Sequence, residues 1–571
     1  MISRRAFLGI AATWPAWARA VENIQVEREC DGACCRARIV NRGPSSVPMH
    51  DVVVADLPAS FPSDTTLYGE GFQMLSQTGG TLGNPVDLGQ YTDAKHYRIP
   101  TSERARAFYG LLTLTPHAGE THVYAFTSCS RFSGRFQLGP SSVQAIVDCE
   151  GLSLAPGESW PLEEVMVASG SDRSALLADV AARLTMHHPA LGTPKPPTGW
   201  CSWYCFGPNV TAQQVLDNLD AIGRSMPGLK YIQIDDGYQR AMGDWLETGT
   251  AFGGSVRTVL AEIRRRGFEP AIWVAPFVAE EHSNVFEQHP DWFIKADDGA
   301  PLRSDRVTFG GWRRGPWYAV DGTHPEAQAH LEHVFRTMRE DWGCTYFKLD
   351  ANFWGAMHGG RFHDPRATRI EAYRRGMAAI RRGAGQSFLL GCNHPIWPSV
   401  GLIHGSRSSN DIKRSWDRLA TTARQNLGRN WQNGRLWWND PDAVVLAGEL
   451  TDAECLFHAT AIYASGGMVL SGDDLTRIPT PRAAMLRKLV PPTGAAATFT
   501  DDTLRVGVVT LAESRMMCLF NWEDRLDAVS FDLPRPSTVV DFWTGEALGR
   551  REGKMTIELQ PRSARLLKVT A

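Results

Sequence analysis

The sequence predicts a multidomain protein whose core is a (β/α)8 barrel of the triosephosphate isomerase type. An N-terminal antiparallel β-sandwich precedes the barrel, and a small C-terminal β domain follows it. Two observations carry this expectation. In the middle of the chain short β-type runs alternate with helical stretches, the pattern of a parallel sheet with crossover helices. On either side the helical period vanishes, and β-type runs are separated by Gly, Pro, Ser and Asp clusters. At 571 residues the chain is also too long for one ordinary domain.

The first 20 residues stand apart from the fold. Ser3-Arg4-Arg5 with Phe7-Leu8, a short apolar stretch and Ala18-Arg19-Ala20 form a twin-arginine-type export signal with a small-x-small cleavage site. The mature chain is therefore expected in the periplasm or outside the cell. The apolar stretch is far shorter than the ~20 residues that span a bilayer.

The sandwich is expected over 21–192, with β-type runs at 37–40, 52–57, 107–114, 122–127 and 143–149. Pro194-Lys-Pro-Pro-Thr198 marks the boundary to a barrel over 193–489. Its candidate strands are 199–204, 231–234, 270–275, 346–349, 388–392, 402–404, 435–439 and 467–471. Helical stretches fall at 211–222, 256–266, 325–342, 367–382, 412–426 and 452–464. The segment 277–322 after strand three is long, and the link between strands five and six is too short for a full helix. The C-terminal domain, 490–571, carries β-type runs at 504–511, 516–521, 538–542 and 565–569.

Composition narrows the function classes. Basic and acidic residues nearly balance, 59 against 62, so the chain has no basic face for nucleic acid and no acidic tail. Nineteen Trp is a high count; most fill a large core, but rings of this kind also suit the apolar faces of sugars. The 11 Cys include Cys30, Cys34 and Cys35 but no CxxC pair, which leaves room for a bridge or two and argues against a zinc ribbon.

In such barrels the chemistry sits at the C-terminal ends of the strands. Unusual polar residues gather there: Trp203-Tyr204, Asp235-Asp236-Gly237, Trp273, Lys348-Leu-Asp350, Cys392-Asn393-His394, Arg407 with Asp411, Asn439-Asp440-Pro441-Asp442 and Asp473-Asp474. Lys348 and Asp350 share one face of a strand. The ammonium is thus expected beside the carboxylate, keeping it ionised as a nucleophile needs. Asp235 and Asp236 fit a tight turn at Gly237, or acceptors for adjacent sugar hydroxyls. Asp411 fits a helix N-cap as well as a catalytic group. The spacing of His358, His363 and Asp364 matches no common metal pattern.

Six motifs in order make the pattern specific. They are Gly199-Trp-Cys-Ser-Trp-Tyr204, Ile234-Asp-Asp-Gly-Tyr-Gln239, Trp273-Val-Ala-Pro-Phe277, Phe347-Lys-Leu-Asp350, Leu390-Gly-Cys392 and Trp438-Asn-Asp-Pro-Asp442. Together they resemble the α-galactosidases of glycoside hydrolase family thirty-six, over about 195–475. The resemblance implies a retaining α-galactosidase with Asp350 as nucleophile and Asp411 as acid/base. It places Trp203, Tyr204, Asp235, Asp236, Trp273, Lys348, Cys392, Asn393 and Arg407 around the sugar, and implies no metal or organic cofactor. A weaker correspondence brings the Gly71-Phe72-Gln73 loop of the sandwich to the pocket. Asn393-His394 and Ser408-Ser-Asn410 depart from the usual family pattern. They leave room for a related retaining α-N-acetylgalactosaminidase or β-L-arabinopyranosidase, or for a galactosyl transferase. A non-catalytic carbohydrate-binding protein would lack one of the two carboxylates.

Overall fold

Inward-facing side chains set the architecture of the barrel. Its strands are β1 (Thr198–Cys201), β2 (Tyr231–Ile234), β3 (Glu269–Val274), β4 (Tyr346–Leu349), β5 (Phe388–Gly391), β6 (Gly405–Arg407), β7 (Trp438–Asp440) and β8 (Val469–Ser471). The computed structural model describes residues 23–571 except 102–104, 194 and 500; the expected export signal at 1–20 lies outside the described residues. Sequential strands pair in parallel from β1 to β7, and β8 pairs with β1. The seam between β7 and β8 is bridged by the Met468 N–H donating to the Asn439 carbonyl at 2.8 Å. Side chains two apart along a strand share a face, so each inward row runs from apolar to polar. Ala271, Tyr346, Phe388 and Leu390 pack together in the interior. The next positions along those rows are Trp273, Lys348 with Asp350, and Cys392.

The surrounding helices are α1 (Ala212–Ser225), α2 (Val256–Arg265), α3 (Pro325–Glu340), α4 (Arg369–Ala384), α5 (Trp416–Gly428), α6 (Asp452–Ser465) and α7 (Thr480–Lys488). Capping boxes start three of them, Thr211 with Gln214, Thr368 with Glu371 and Thr451 with Glu454. Along α2 the buried Val256, Val259, Leu260 and Ile263 form one stripe against the sheet. Between β5 and β6 there is only the four-residue helix Ile396–Ser399.

Several boundaries differ from the sequence expectation: strand one ends at Cys201, with Trp203 and Tyr204 in the short helix Trp203–Phe206, and strand seven starts at Trp438, not at 435. Strand six begins at Gly405, not at 402. Residue 402 still belongs to a turn, closed by its N–H to the Ser399 carbonyl at 2.9 Å, and pairing with β5 starts only at His404. Arg407 therefore ends a strand instead of lying in the turn after it. The helix expected from 412 begins at Trp416 with Ser415 at its N-cap position, so Asp411 does not cap it. The run at 107–114 is two strands, Arg106–Tyr109 and Leu111–Thr115, in different sheets. Gly110 joins them at φ +75, with its α-carbon against the Trp397 ring, where a Cβ would stand 2.1 Å from that ring.

The N-terminal region packs a nine-stranded antiparallel sheet on a four-stranded one. A helix, Arg173–His187, leads from it to the barrel. A Cys30–Cys35 disulfide crosses the first hairpin, and the other nine cysteines are free. The 70–76 loop of the sandwich lies on the barrel beyond β5: Met74 N–H donates to the His394 carbonyl and Ile396 N–H to the Phe72 carbonyl, both at 2.9 Å. The C-terminal six-stranded sheet alternates its faces. Met516, Cys518 and Phe520 pack on α5 and α6, while Met517 and Leu519 pack with Val529 and Phe531 on the other side. Among the described residues no helix is long and apolar enough to cross a membrane.

Candidate active site

The nine binding candidates and two catalytic candidates belong to the barrel mouth, and direct bonds link most of them. Asp350 follows β4. Its carboxylate accepts from the Trp273 indole N–H at 3.1 Å and from the Ala351 N–H at 2.7 Å. Ala351 holds φ +53, a left-handed conformation that costs an alanine about 1–2 kcal/mol; Asn393 at +43 and Asp442 at +72 share it, and their residue types tolerate it better. Strain of this kind concentrates where side chains must be aimed.

Lys348 does not bond Asp350, as the shared strand face suggested. Its ammonium donates to Asp235 Oδ2 at 3.0 Å, with Gln233 Nε2 on the same oxygen at 2.6 Å. Burial works against the Lys348 charge, but Asp235 and neighbouring groups hold its pKa well above the usual range. Asp350 feels that ammonium through space. Burial raises the Asp350 pKa; Lys348, the Trp273 bond and the Ala351 bond restrain the rise, and the Asp411 charge adds to it.

Asp411 sits in the opposite setting. Its side chain opens onto the mouth, 61% exposed, and accepts from Arg407 Nη2 at 2.7 Å. The Tyr204 hydroxyl lies 3.4 Å away. Burial within the mouth pushes its pKa up, but Arg407 and Lys348 outweigh that and hold it below the ordinary carboxylate value. The acid/base role that the resemblance implies asks Asp411 to hold a proton, and these charges oppose that in the free site. Asp442 carries the raised pKa instead. It is buried, accepts from Tyr204 and from Arg407, each at 2.5 Å, and takes the Ile412 N–H at 2.6 Å. Burial, helped by Asp411 and Asp440, pushes its pKa up to about 6 against the pull of Arg407.

Asp236 is buried and already chelated. Arg313 grips both of its oxygens, and Gln239 Nε2 donates at 2.6 Å. A carboxylate offers about four acceptor sites, so one remains for a sugar hydroxyl. Gly237 after it has φ +130, and a Cβ there would stand 2.5 Å from the Pro208 carbonyl. The other candidates line the rim. Trp203 is half-buried against the barrel interior. Cys392 is buried with Arg407 Nη1 3.8 Å from its sulfur, and burial raises its thiol pKa. Asn393 accepts the Tyr97 hydroxyl at 2.7 Å.

The scaffold and the mouth together match known proteins. Residues 202–377 match the melibiase family profile. That stretch is similar to a melibiase domain. Among solved structures it is similar to an α-galactosidase from Thermus thermophilus in complex with p-nitrophenyl α-D-galactopyranoside. The identity is 22%, over 85% of this chain and 98% of that one, at a TM-score of 0.65. It is also similar to the GH36 α-galactosidase AgaA of Geobacillus stearothermophilus, 12% identical over 96% of this chain and 81% of that one, at a TM-score of 0.67. At these identities the likeness is one of fold. A curated relative is the A type blood α-D-galactosamine galactosaminidase of Flavonifractor plautii, 30% identical over 26% of this chain. The matched segments span only 9% and 14% of the length of the first curated relatives.

Two residues of the mouth, Arg313 and Tyr97, are not legible in the sequence, and a third, Asp442, is legible as a polar strand-end residue without a role. Arg313 lies in the long segment after β3, where only the Gly310-Gly311-Trp312 and Gly315-Pro316-Trp317 punctuation gave a signal. Tyr97 comes from the sandwich. Asp442 was visible as the end of the Asp440-Pro441-Asp442 turn. Other polar residues at the strand ends are structural. Asp473 accepts from Arg414 at 2.7 Å and from the Leu446 N–H at 2.7 Å. His358 pairs with the Tyr97 carbonyl at 2.9 Å. Among the described residues no cluster could hold a metal ion.

Proposed function

We propose that this chain is a retaining α-galactosidase acting by double displacement, exported through its twin-arginine-type signal to the periplasm or beyond. One observation carries the reading: two carboxylates face one mouth in opposite settings. Asp350 has no directly bonded cation and is aimed by an indole and a backbone N–H. Asp411 is ion-paired with Arg407, which also bonds Asp442.

Asp350 attacks the anomeric carbon, its lone pair free of any guanidinium. The leaving oxygen takes a proton from Asp411, which then activates water as a base. Retention asks the two carboxyl groups to lie about 5–5.5 Å apart. The proton belongs to the Asp411–Asp442 pair rather than to either group. Arg407 touches both carboxylates and the Tyr204 hydroxyl lies between them, so the pair titrates as a unit. Asp235 and the remaining acceptor site of Asp236 bind hydroxyls, with Trp203, Tyr204, Cys392 and Asn393 closing the pocket.

The test of function is hydrolysis of 4-nitrophenyl α-D-galactopyranoside beside the α-N-acetylgalactosaminide and β-L-arabinopyranoside analogues. A preference of at least about tenfold for the galactoside is expected. Activity on an analogue alone moves the specificity to Asn393 and Ser408–Asn410, and inertness towards all three rejects the reading.

A pH dependence follows from the same contacts. Asp350 must be ionised, so kcat/KM rises with pH through a value above the ordinary aspartate one. The pair must hold one proton, so kcat/KM falls as pH rises through about 6. Asp442→Asn removes a negative charge that opposes ionisation of Asp411. The falling limb should then move to lower pH, and a limb that stays in place would reject the pairing.

A further inference from the structure

Tyr97 reaches the barrel mouth from the sandwich, and the catalytic reading does not use it. Its ring is fully buried, packed against Phe353 at 4.4 Å, Phe309 at 5.4 Å and Trp354 at 5.9 Å. Its carbonyl takes the His358 Nε2–H at 2.9 Å, so backbone and side chain are both held. Among the described residues the Tyr97 hydroxyl has one partner, Asn393 Oδ1 at 2.7 Å. Burial raises the phenol pKa, the Asn393 bond restrains the rise, and the nearby Asp350 charge adds to it. The phenol therefore keeps its proton, and a buried O–H left without an acceptor is costly. An Asn amide can turn either its oxygen or its nitrogen towards a neighbour, and only the oxygen satisfies this donor.

With Oδ1 turned to Tyr97, the two N–H groups of Asn393 Nδ2 face away from the phenol and have no acceptor among the described residues. The residue is only 3% exposed. The amides of Asn352 and Asn410 are sealed from solvent without partners, whereas Asn393 Nδ2 is not sealed. A nearly buried donor held open in this way suits an acceptor that arrives with a ligand. Its neighbours place that acceptor in the mouth. The Asn393 carbonyl takes the Phe353 N–H at 2.8 Å, three residues beyond Asp350, and the preceding Cys392 has Arg407 Nη1 3.8 Å from its sulfur. In strand order Asn393 stands between Asp350 after β4 and Asp411 after β6. Asp235 and Asp236 accept hydroxyl hydrogens; the Asn393 amide donates to a hydroxyl oxygen.

We propose that Tyr97 is a positioning residue of the sugar pocket, which locks the Asn393 amide with its nitrogen facing one hydroxyl oxygen of the sugar under attack. The inference rests on the glycosidase reading above. It makes the sandwich part of substrate discrimination, because a galactoside that lacks that hydroxyl gains nothing from Tyr97.

The test measures kcat/KM of wild type, Tyr97→Phe and Asn393→Ala on 4-nitrophenyl α-D-galactopyranoside and on its 2-, 3-, 4- and 6-deoxy analogues. Tyr97→Phe keeps the packed ring and frees the amide to turn. It should lower kcat/KM about tenfold on the parent galactoside. The loss should vanish on one deoxy analogue and persist on the other three, and Asn393→Ala should single out the same analogue. A loss in Tyr97→Phe that is equal on every substrate marks a structural role and overturns the inference. So does an unchanged kcat/KM on every substrate, or a different analogue singled out by each variant. A wild-type chain inert towards the parent and all four analogues rejects the glycosidase reading itself, whereas an active wild type with an unselective Tyr97→Phe rejects the role of Tyr97 alone.

Discussion

Asp350→Ala is expected to lower kcat/KM on 4-nitrophenyl α-D-galactopyranoside by about 10⁴-fold or more, because the covalent step loses its nucleophile. Asp411→Ala is expected to cost ~10²–10⁴-fold, the usual share of acid/base assistance. Magnitudes alone do not separate the two roles, but added azide does. In Asp411→Ala the Asp350 intermediate still forms when the leaving group is activated, such as 2,4-dinitrophenolate. Azide then attacks it in a second inversion and yields the α-galactosyl azide. In Asp350→Ala the azide enters the emptied space and displaces the leaving group once, so the product is the β-galactosyl azide. The two anomers are distinguishable by proton coupling constants. The same anomer from both variants, or Asp350→Ala at near wild-type rate, would refute the assignment. The contacts favour this outcome: Asp350 is aimed by Trp273 Nε1 and Ala351 N, while Asp411 is held by Arg407.

The barrel was legible because its signals are local. Eight apolar runs with a polar residue at the end of each gave the strands and the mouth, and capping residues such as Thr211 and Thr368 began helices close to where they were expected. What sequence could not supply was the pairing across the barrel. Lys348 and Asp350 do share an inward face, yet the ammonium reaches Asp235, two strands away, rather than its strand neighbour. Strand period sets which face a side chain takes; the partner there depends on stagger around the closed sheet. Asp411 shows a second limit. An Asp before a helical stretch reads as a cap, and only the fold, with Ser415 at the N-cap position, removes that reading. Arg313 and Tyr97 were beyond reach because the loops that carry them have no period, and they meet the mouth only through the packing of 309–317 and of the sandwich.

That dependence of the mouth on the sandwich has an energetic anchor, and Glu70→Ala is expected to be the most destabilising single change in the domain junction. Glu70 and Arg429 are both buried and joined at 2.5 Å, with Tyr68 at 2.6 Å and Gln432 at 3.2 Å completing the carboxylate. Arg429 Nη1 also donates to the Met74 carbonyl at 2.7 Å and to the Ser408 carbonyl at 3.0 Å. Removing one member of a buried pair leaves the other charged and unsolvated, a loss of about 3–5 kcal/mol. Replacing both members with apolar residues avoids that penalty. The double variant Glu70→Met with Arg429→Met should therefore unfold at higher denaturant than Glu70→Ala alone. Activity should separate the two roles of the pair. Ser408 adjoins Arg407, so losing Arg429 slackens the residue that holds Asp411, and a displacement of about 1 Å at such a site costs on the order of 10²-fold. The double variant is thus expected to recover stability without recovering full kcat. If Glu70→Ala unfolds within about 0.5 kcal/mol of wild type, the junction is held by its apolar contacts and the ion pair is dispensable.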